Sequence, residues 1–162
     1  MLNHNSVIKN EINQGSISLK EISPVIKINL RGKKREFLTN VGKNLNMILP
    51  TEANTSTTSD KLTAIWLSPD EWMVVSNELV SKETNKYELQ EMLFNSISKT
   101  TLGAVIDVTD QFVQLELKGE NIYEIFSAGS PFNFNQFKEK KGSTTQTVLN
   151  HVDVILHHKD EN

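Results

Sequence analysis

Residues 62–76, LTAIWLSPDEWMVVS, restrict the fold more than any other stretch of the chain. Two apolar runs, Leu62–Leu67 and Trp72–Val75, flank Ser68-Pro69-Asp70-Glu71. Proline sets φ at the first turn position, and the aspartate can bond the backbone just beyond it. The segment predicts a hairpin whose strands carry both tryptophans of the chain, Trp66 and Trp72.

Around this hairpin the pattern alternates irregularly between strand and helix. Residues 1–16 are polar and read as a loose tail, leaving 17–162 as one domain. Val25–Leu30 alternates toward a turn at Arg31-Gly32 and predicts a strand. Phe37, Val41 and Leu45 fall four apart, with Leu38 and Ile48 beside them, which predicts a helix ending near Leu49-Pro50. Thr51–Asp60 is a Ser/Thr-rich loop. Leu89, Leu93 and Ile97 mark a second helix from Asn85 to Lys99. Thr101–Val108 reads as a strand with Leu102, Ala104, Ile106 and Val108 on one face, followed by a corner at Asp107–Asp110. Val113, Leu115 and Leu117 alternate with Gln114, Glu116 and Lys118, the pattern of a half-buried strand, and Gly119 ends it. Ile122, Ile125 and Phe126 predict a third helix stopped by Gly129 in the C′ position. A loop over Ser130–Lys141 then precedes a strand pair, Thr144–Leu149 and Val152–His157. Strand pairs set between helices imply an α+β fold, with a mixed or antiparallel sheet and helices mainly on one face.

Composition narrows the function classes. The 162 residues suffice for a core. The net charge of −3 is spread along the chain and argues against nucleic acid. Lysine outnumbers arginine fifteen to two, so bidentate arginine clamps are scarce. There is no cysteine, which excludes disulfides, thiol nucleophiles and thiolate-bound metals. No apolar run approaches the ~18 residues of a membrane span, and the N-terminus lacks a signal-peptide core. The expected location is cytoplasmic, without membrane contact.

Each chemical candidate has a structural competitor. Asp70 and Glu71 could act as an acid–base pair, but neighbours in a turn point apart. Asp110 could be a general base, but aspartates at strand corners such as Asp107 and Asp110 commonly bond backbone amides. His151, Asp153 and His157 could share a face, yet no fourth metal ligand is suitably spaced, and His158 points the other way from His157. Gly32-Lys33-Lys34 and Gly142-Ser143-Thr144 lack the glycine spacing of nucleotide loops. No catalytic, cofactor-binding or metal-binding residue is therefore assigned. Phe132, Phe134 and Phe137 crowd one loop, where they either cap the core or form a partner contact.

Five ordered motifs together resemble the gamma subunit of heterotetrameric sarcosine oxidase. They are Leu49-Pro50; Trp66-Leu67-Ser68-Pro69-Asp70-Glu71-Trp72; Ala104 through Asp110 (AVIDVTD); Leu115-Glu116-Leu117-Lys118-Gly119; and Gly129-Ser130-Pro131-Phe132. The signature positions are Pro69, Asp70, Glu71, Trp72, Asp107, Asp110 and Gly119. The resemblance spans roughly Val25 to His157. Its Asp-Val-Thr-Asp strand and glycine-led helix are shared with the folate-binding aminomethyltransferases of glycine cleavage.

The resemblance implies a fold like the N-terminal part of those aminomethyltransferases. It also implies a further strand and C-terminal helix after the turn at Lys159–Asn162, so the chain is expected to stop short of the family's end. The complex would demethylate sarcosine oxidatively to glycine, pass the methyl carbon to tetrahydrofolate and release hydrogen peroxide. Its FAD, FMN, NAD, tetrahydrofolate and zinc would reside on other subunits, with alpha, beta and delta subunits as partners. This chain would be the assembly component, without a cofactor. The alternatives are a stand-alone folate-binding one-carbon transferase, with Asp153 or Asp110 holding the pterin, and an isolated adaptor domain. Asn150-His151-Val152-Asp153 lacks the glycines and second acid of the aminomethyltransferase pair, so folate chemistry does not transfer to it.

Overall fold

The computed structural model describes residues 5–22, 24–79 and 88–159, excepting the side chains of residues 78 and 79. The chain forms two compact units: Val25–Gln111, and Met1–Pro24 together with Phe112–Asn162.

The first unit is built on a five-stranded antiparallel sheet. Its strands are β3 (Val25–Arg31), β4 (Ser56–Thr58), β5 (Leu62–Ser68), β6 (Glu71–Leu79) and β7 (Ala104–Asp107), in the order β4-β5-β6-β3-β7. The predicted hairpin is β5 and β6, with Trp66 directly opposite Trp72 and Ser68 opposite Glu71. In the turn, Asp70 bonds the Ser68 hydroxyl at 3.0 Å, and its carbonyl accepts the Gly32 N–H at 3.0 Å, so this turn also fixes the end of β3. β4 lies inside the expected loop. Its serine and threonines pair with Thr63–Ile65, a strand too short and polar to show in the periodicity.

Helices cover one face of this sheet. α1 (Arg35–Leu45) presents Phe37, Val41 and Leu45 inward, as their spacing predicts. It ends earlier than expected, because Asn46 adopts φ 49° and its N–H bonds back to the helix, and Ile48 then points into solvent at 82% exposure. α2 (Glu88–Leu93) continues into a π-helical turn over Phe94–Ser98; the residues expected to begin this helix, 85–87, lie outside the described residues. The Lys99 N–H bonds the Phe94 carbonyl at 3.0 Å, and the wider turn keeps both Leu93 and Ile97 fully buried. These side chains meet Ile26, Ile28, Leu30, Ala64, Trp72 and Val74 in one cluster.

Strand β7 shows the opposite phase from the expected one. Val105 faces the core, whereas Ile106 is 48% exposed. Its register against β3, with Val105 opposite Leu30, decides the face. Gly103 precedes it because a Cβ there would stand 2.2 Å from the Arg31 carbonyl oxygen and 2.8 Å from the Phe37 ring.

The second unit contains a three-stranded sheet, β1 (Ile12–Gln14), β2 (Ile17–Ile22) and β8 (Gln114–Lys118), in the order β1-β2-β8. The expected tail thus holds a strand, since Ile12 and Leu19 pair across a turn at Gly15. Gly119 has φ 128°, and a Cβ there would overlap the Ser16 carbonyl oxygen at 2.0 Å, so only glycine lets β8 leave beside the β1–β2 turn. α3 (Ile122–Gly129) includes Gly129 as its last residue, followed by extended Ser130. Gly129 is not in a left-handed C′ conformation; it lies against the Asn150 side chain instead. The inward side of α3 is also shifted: Ile125 is 52% exposed, while Tyr123 and Phe126 contact other rings. β9 (Thr144–Leu149) and β10 (Val152–His157) form the expected pair, closed by Asn150 and His151 at φ 46° and 75°. Two successive positive φ values make this a type I′ turn, the hand that matches strand twist.

Trp72→Ala should cost about 3–5 kcal/mol, because a fully packed aromatic is lost from the core. Trp72→Phe keeps a ring but leaves the Pro50 carbonyl without its indole donor, and should cost about 1–3 kcal/mol. Urea denaturation of both variants checks the order; an unshifted midpoint for Trp72→Ala would place the hairpin outside the core.

Candidate functional site

The signature residues are held in two places on the first unit and one on the second. At the β5–β6 turn, the Ser68 hydrogen bond, aided by Lys33 and Arg31, holds the Asp70 carboxyl below the usual carboxylate range. Lys33 stands 3.6 Å from it. Glu71 accepts a 2.7 Å bond from the Asn29 amide on the neighbouring strand and sits 3.8 Å from Arg31. The two adjacent carboxylates therefore have separate hydrogen-bond partners, Ser68 and Asn29, and share only the charge of Arg31. Trp72, the next residue, donates its indole N–H to the Pro50 carbonyl at 2.7 Å and packs on Phe37 with centroids 5.8 Å apart.

The Asp107–Asp110 corner is bound by backbone bonds. Asp107 accepts the Thr109 N–H at 2.9 Å, the local turn expected of an aspartate at a strand end. The Thr109 hydroxyl accepts the Lys27 N–H at 3.0 Å, and the Lys27 carbonyl accepts the Val108 N–H at 2.9 Å. The corner is thus stitched to the middle of β3.

Lys27 is the residue that periodicity alone does not single out. It occupies a polar position of an alternating strand, yet it is only 4% exposed. Its ammonium donates to the Val25 carbonyl at 3.3 Å. Burial pushes its pKa down, and the carboxylates of Asp110 and Asp107 only partly oppose this. No local sequence signal marks it: its burial depends on the pairing of Ile28 with Asp107, which brings the Asp107–Asp110 corner to β3.

On the second unit, Phe134 and Phe137 are 3% and 6% exposed and belong to its interior. Phe132 is half-buried, its ring edge-on to Phe134 at 4.9 Å. Tyr123, Phe126 and His158 complete the cluster, with the His158 ring stacked on Phe137 at 6.0 Å. His158 Nδ1 lies 3.1 Å and 3.2 Å from the Phe137 and Lys140 carbonyls, so it carries the proton and donates to them. The loop phenylalanines thus cap a core.

His151, Asp153 and His157 do not converge: among the described residues, no group of three or more His, Asp or Glu side chains could hold a metal. A shallow groove of about 530 Å³ runs past the end of α1, lined by Leu38, Gly42, Met47, Ile48 and Leu49, away from every signature carboxylate. Among the described residues, no helix is long and apolar enough to cross a membrane.

The expected inward face of β8 is exposed instead. Val113 and Leu115 are 54% and 46% exposed. The register aligns Leu117, Leu19 and Ile12 across the three strands on that same face. The reverse face carries Lys20 and the Lys118–Glu116 ion pair at 2.8 Å. The alternation is intact: Ile17, Leu19 and Leu117 are half-buried, whereas Ile12, Val113 and Leu115 stand open.

Lys27→Met should raise stability by about 1 kcal/mol or more, since a buried charge is replaced by an apolar chain of similar length. The sign follows from the lowered pKa. Below that value both folded and unfolded chains hold the proton, and the full burial cost is present. Between it and the ordinary lysine value the unfolded chain binds more protons, so wild-type stability rises with pH. Thermal melts of both proteins from neutral to alkaline pH should show the gap closing as pH rises. A destabilised variant at neutral pH would mean that the carboxylates outweigh burial.

Comparison with known proteins follows the same motifs. No curated protein sequence matches the chain. Among solved structures, a chain of the heterotetrameric sarcosine oxidase from Corynebacterium sp. U-96, in complex with pyrrole 2-carboxylate, has the same fold. It superimposes with a TM-score of 0.78 at 18% identity, over 93% of this chain and 75% of that one. The sarcosine oxidase, gamma subunit family matches residues 32–162, which contain every signature residue from the Pro-Asp-Glu-Trp turn to Gly119, and the chain belongs to that family.

Proposed function

We propose that this protein is a non-catalytic assembly subunit of a heterotetrameric sarcosine oxidase. The observation that carries the reading is the use made of the signature carboxylates. Asp70, Glu71 and Asp107 each accept a short hydrogen bond from a neighbouring group of the fold. A general base needs a pKa near working pH, and the Asp70 carboxyl is shifted the other way. The signature thus specifies turns and strand ends, a scaffold for presenting surfaces. On this reading the complex oxidises sarcosine to glycine in the cytoplasm, passes the methyl carbon to tetrahydrofolate and releases hydrogen peroxide. Alpha, beta and delta subunits carry the FAD, FMN, NAD, tetrahydrofolate and zinc. On this reading the fold is of the kind found in the N-terminal region of the glycine-cleavage aminomethyltransferases.

Two measurements test this. The chain purified alone should be colourless and should not oxidise sarcosine; a flavin absorbance band surviving gel filtration would overturn the assignment. In the assembled complex, Asp107→Asn and Asp110→Asn should leave kcat within about twofold. A hundredfold fall in kcat with an unchanged thermal midpoint would make the corner part of an active site.

A further inference from the structure

We infer that Lys27 makes the Asp107–Asp110 corner a release point of the first unit: the corner parts from β3 ahead of the rest of the sheet, because parting returns a buried ammonium to water. This device goes beyond the assembly role and does not depend on it.

Lys27 stands where β3 has least support from its neighbours. The β3–β7 ladder stops at Ile28↔Asp107. On the other side of the strand, the β3–β6 register shifts between Val25 and Lys27. A strand end without a regular ladder is where local opening begins. What holds the chain there is the corner itself. The Lys27 N–H donates to the Thr109 hydroxyl, 82 residues away, and the Lys27 carbonyl accepts the Val108 N–H. The Gln111 N–H closes the corner on the Val108 carbonyl at 3.0 Å. Val108 and Thr109 are themselves buried, so the corner helps to cover the residue that it bonds. Val25 and Gln111 are the first and last residues of this unit. Parting of the corner therefore loosens both ends of the unit together.

The charge is poorly matched to this setting. An ammonium has three N–H donors. Among the described residues, that of Lys27 meets one acceptor, the Val25 carbonyl at 3.3 Å. Val75, opposite it on β6, is apolar. The charged groups that act on it are Asp110 and, less strongly, Asp107, and burial outweighs both. A buried charge that is incompletely compensated destabilises the state that buries it. Opening the corner alone relieves that cost while Ile28 and Leu30 stay packed in the main cluster, to which Val108 does not belong. The release is governed by protons. Below the lowered pKa, Lys27 is charged inside the closed corner and the cost is present. Above it the closed corner holds a neutral amine and the cost disappears. Opening is thus favoured at neutral pH and suppressed as pH rises.

The chain has no cysteine, so single introduced thiols report opening. Val108→Cys reports the corner, and Val74→Cys, in the fully buried centre of the sheet, reports unfolding of the unit. Each thiol is labelled with a maleimide in the full chain. Its rate is divided by that of the same thiol in the urea-unfolded chain at the same pH. At neutral pH the corner thiol should react about tenfold or more faster than the core thiol. Adding Lys27→Met should close this gap by slowing the corner thiol. With Lys27 in place, the gap should narrow as pH rises toward the ordinary lysine range; with Lys27→Met it should not change with pH. Asp110→Asn, at an exposed position, should widen the gap, because it removes the carboxylate that best offsets burial.

Equal labelling of the two thiols at neutral pH with Lys27 in place would show that the corner opens only with the whole unit, and overturns the inference. A gap that survives Lys27→Met, or that ignores pH with Lys27 in place, would assign the opening to strand fraying without the charge, and overturns it too. Should Lys27→Met fail to fold, the pH series and Asp110→Asn decide by themselves.

Discussion

The indole of Trp72 is the contact on which the first unit depends. Its N–H satisfies the Pro50 carbonyl after the end of α1, its ring packs on Phe37 near the start of that helix, and its backbone lies in the central part of the sheet. A buried aromatic contributes most when its polar atom also finds a partner, because the ring is desolvated without leaving a donor unpaired. One side chain thus joins hairpin, helix and connecting segment. Close packing then propagates the constraint: Gly103 must be small because Phe37 stands where a Cβ would go. The Asp70 carbonyl completes it by fixing Gly32 at the end of β3.

The second unit is held differently. It buries few aliphatic side chains and relies on aromatic rings in edge-on and tilted contacts, drawn from α3, the loop after it and His158, which meets Tyr123 edge-on. Ring quadrupoles favour such geometry over face-to-face stacking. His158 adds direction, since its Nδ1 proton bonds two loop carbonyls and its backbone bonds Gly142 and Ser143. A loop of twelve residues, with a single 3-10 turn at Phe137–Glu139, is thereby given one conformation.

The polar signature serves the same end. Asp70, Glu71, Asp107 and Thr109 bond turns and strand ends, and the cost of burying Lys27 is accepted beside them. Such a pattern concentrates stability in the framework and leaves the apolar face of β1-β2-β8 outside it.

Local sequence by itself determined the Ser-Pro-Asp-Glu turn, the strand on each side of it, the inward stripe of α1, the buried Leu93 and Ile97, and the final hairpin. In each, side-chain period and turn chemistry act over a few residues and agree with one another. The family was legible from those same turns, because its signature residues are turn and strand-end formers. Tertiary structure decided what depends on neighbours distant in sequence. Pairing with Leu30 turned Val105 inward and Ile106 outward, although both fit a strand equally well. Pairing with β5 made Ser56–Thr58 a strand despite weak propensity. The alternation of β8 correctly identified two faces but not which one the chain covers, since hydrophobicity records that a surface is to be buried and not what will bury it. Lys27 shows the same limit: its charge suggests solvent, and only the corner at Asp107–Asp110, eighty residues away in sequence, shows why it is buried.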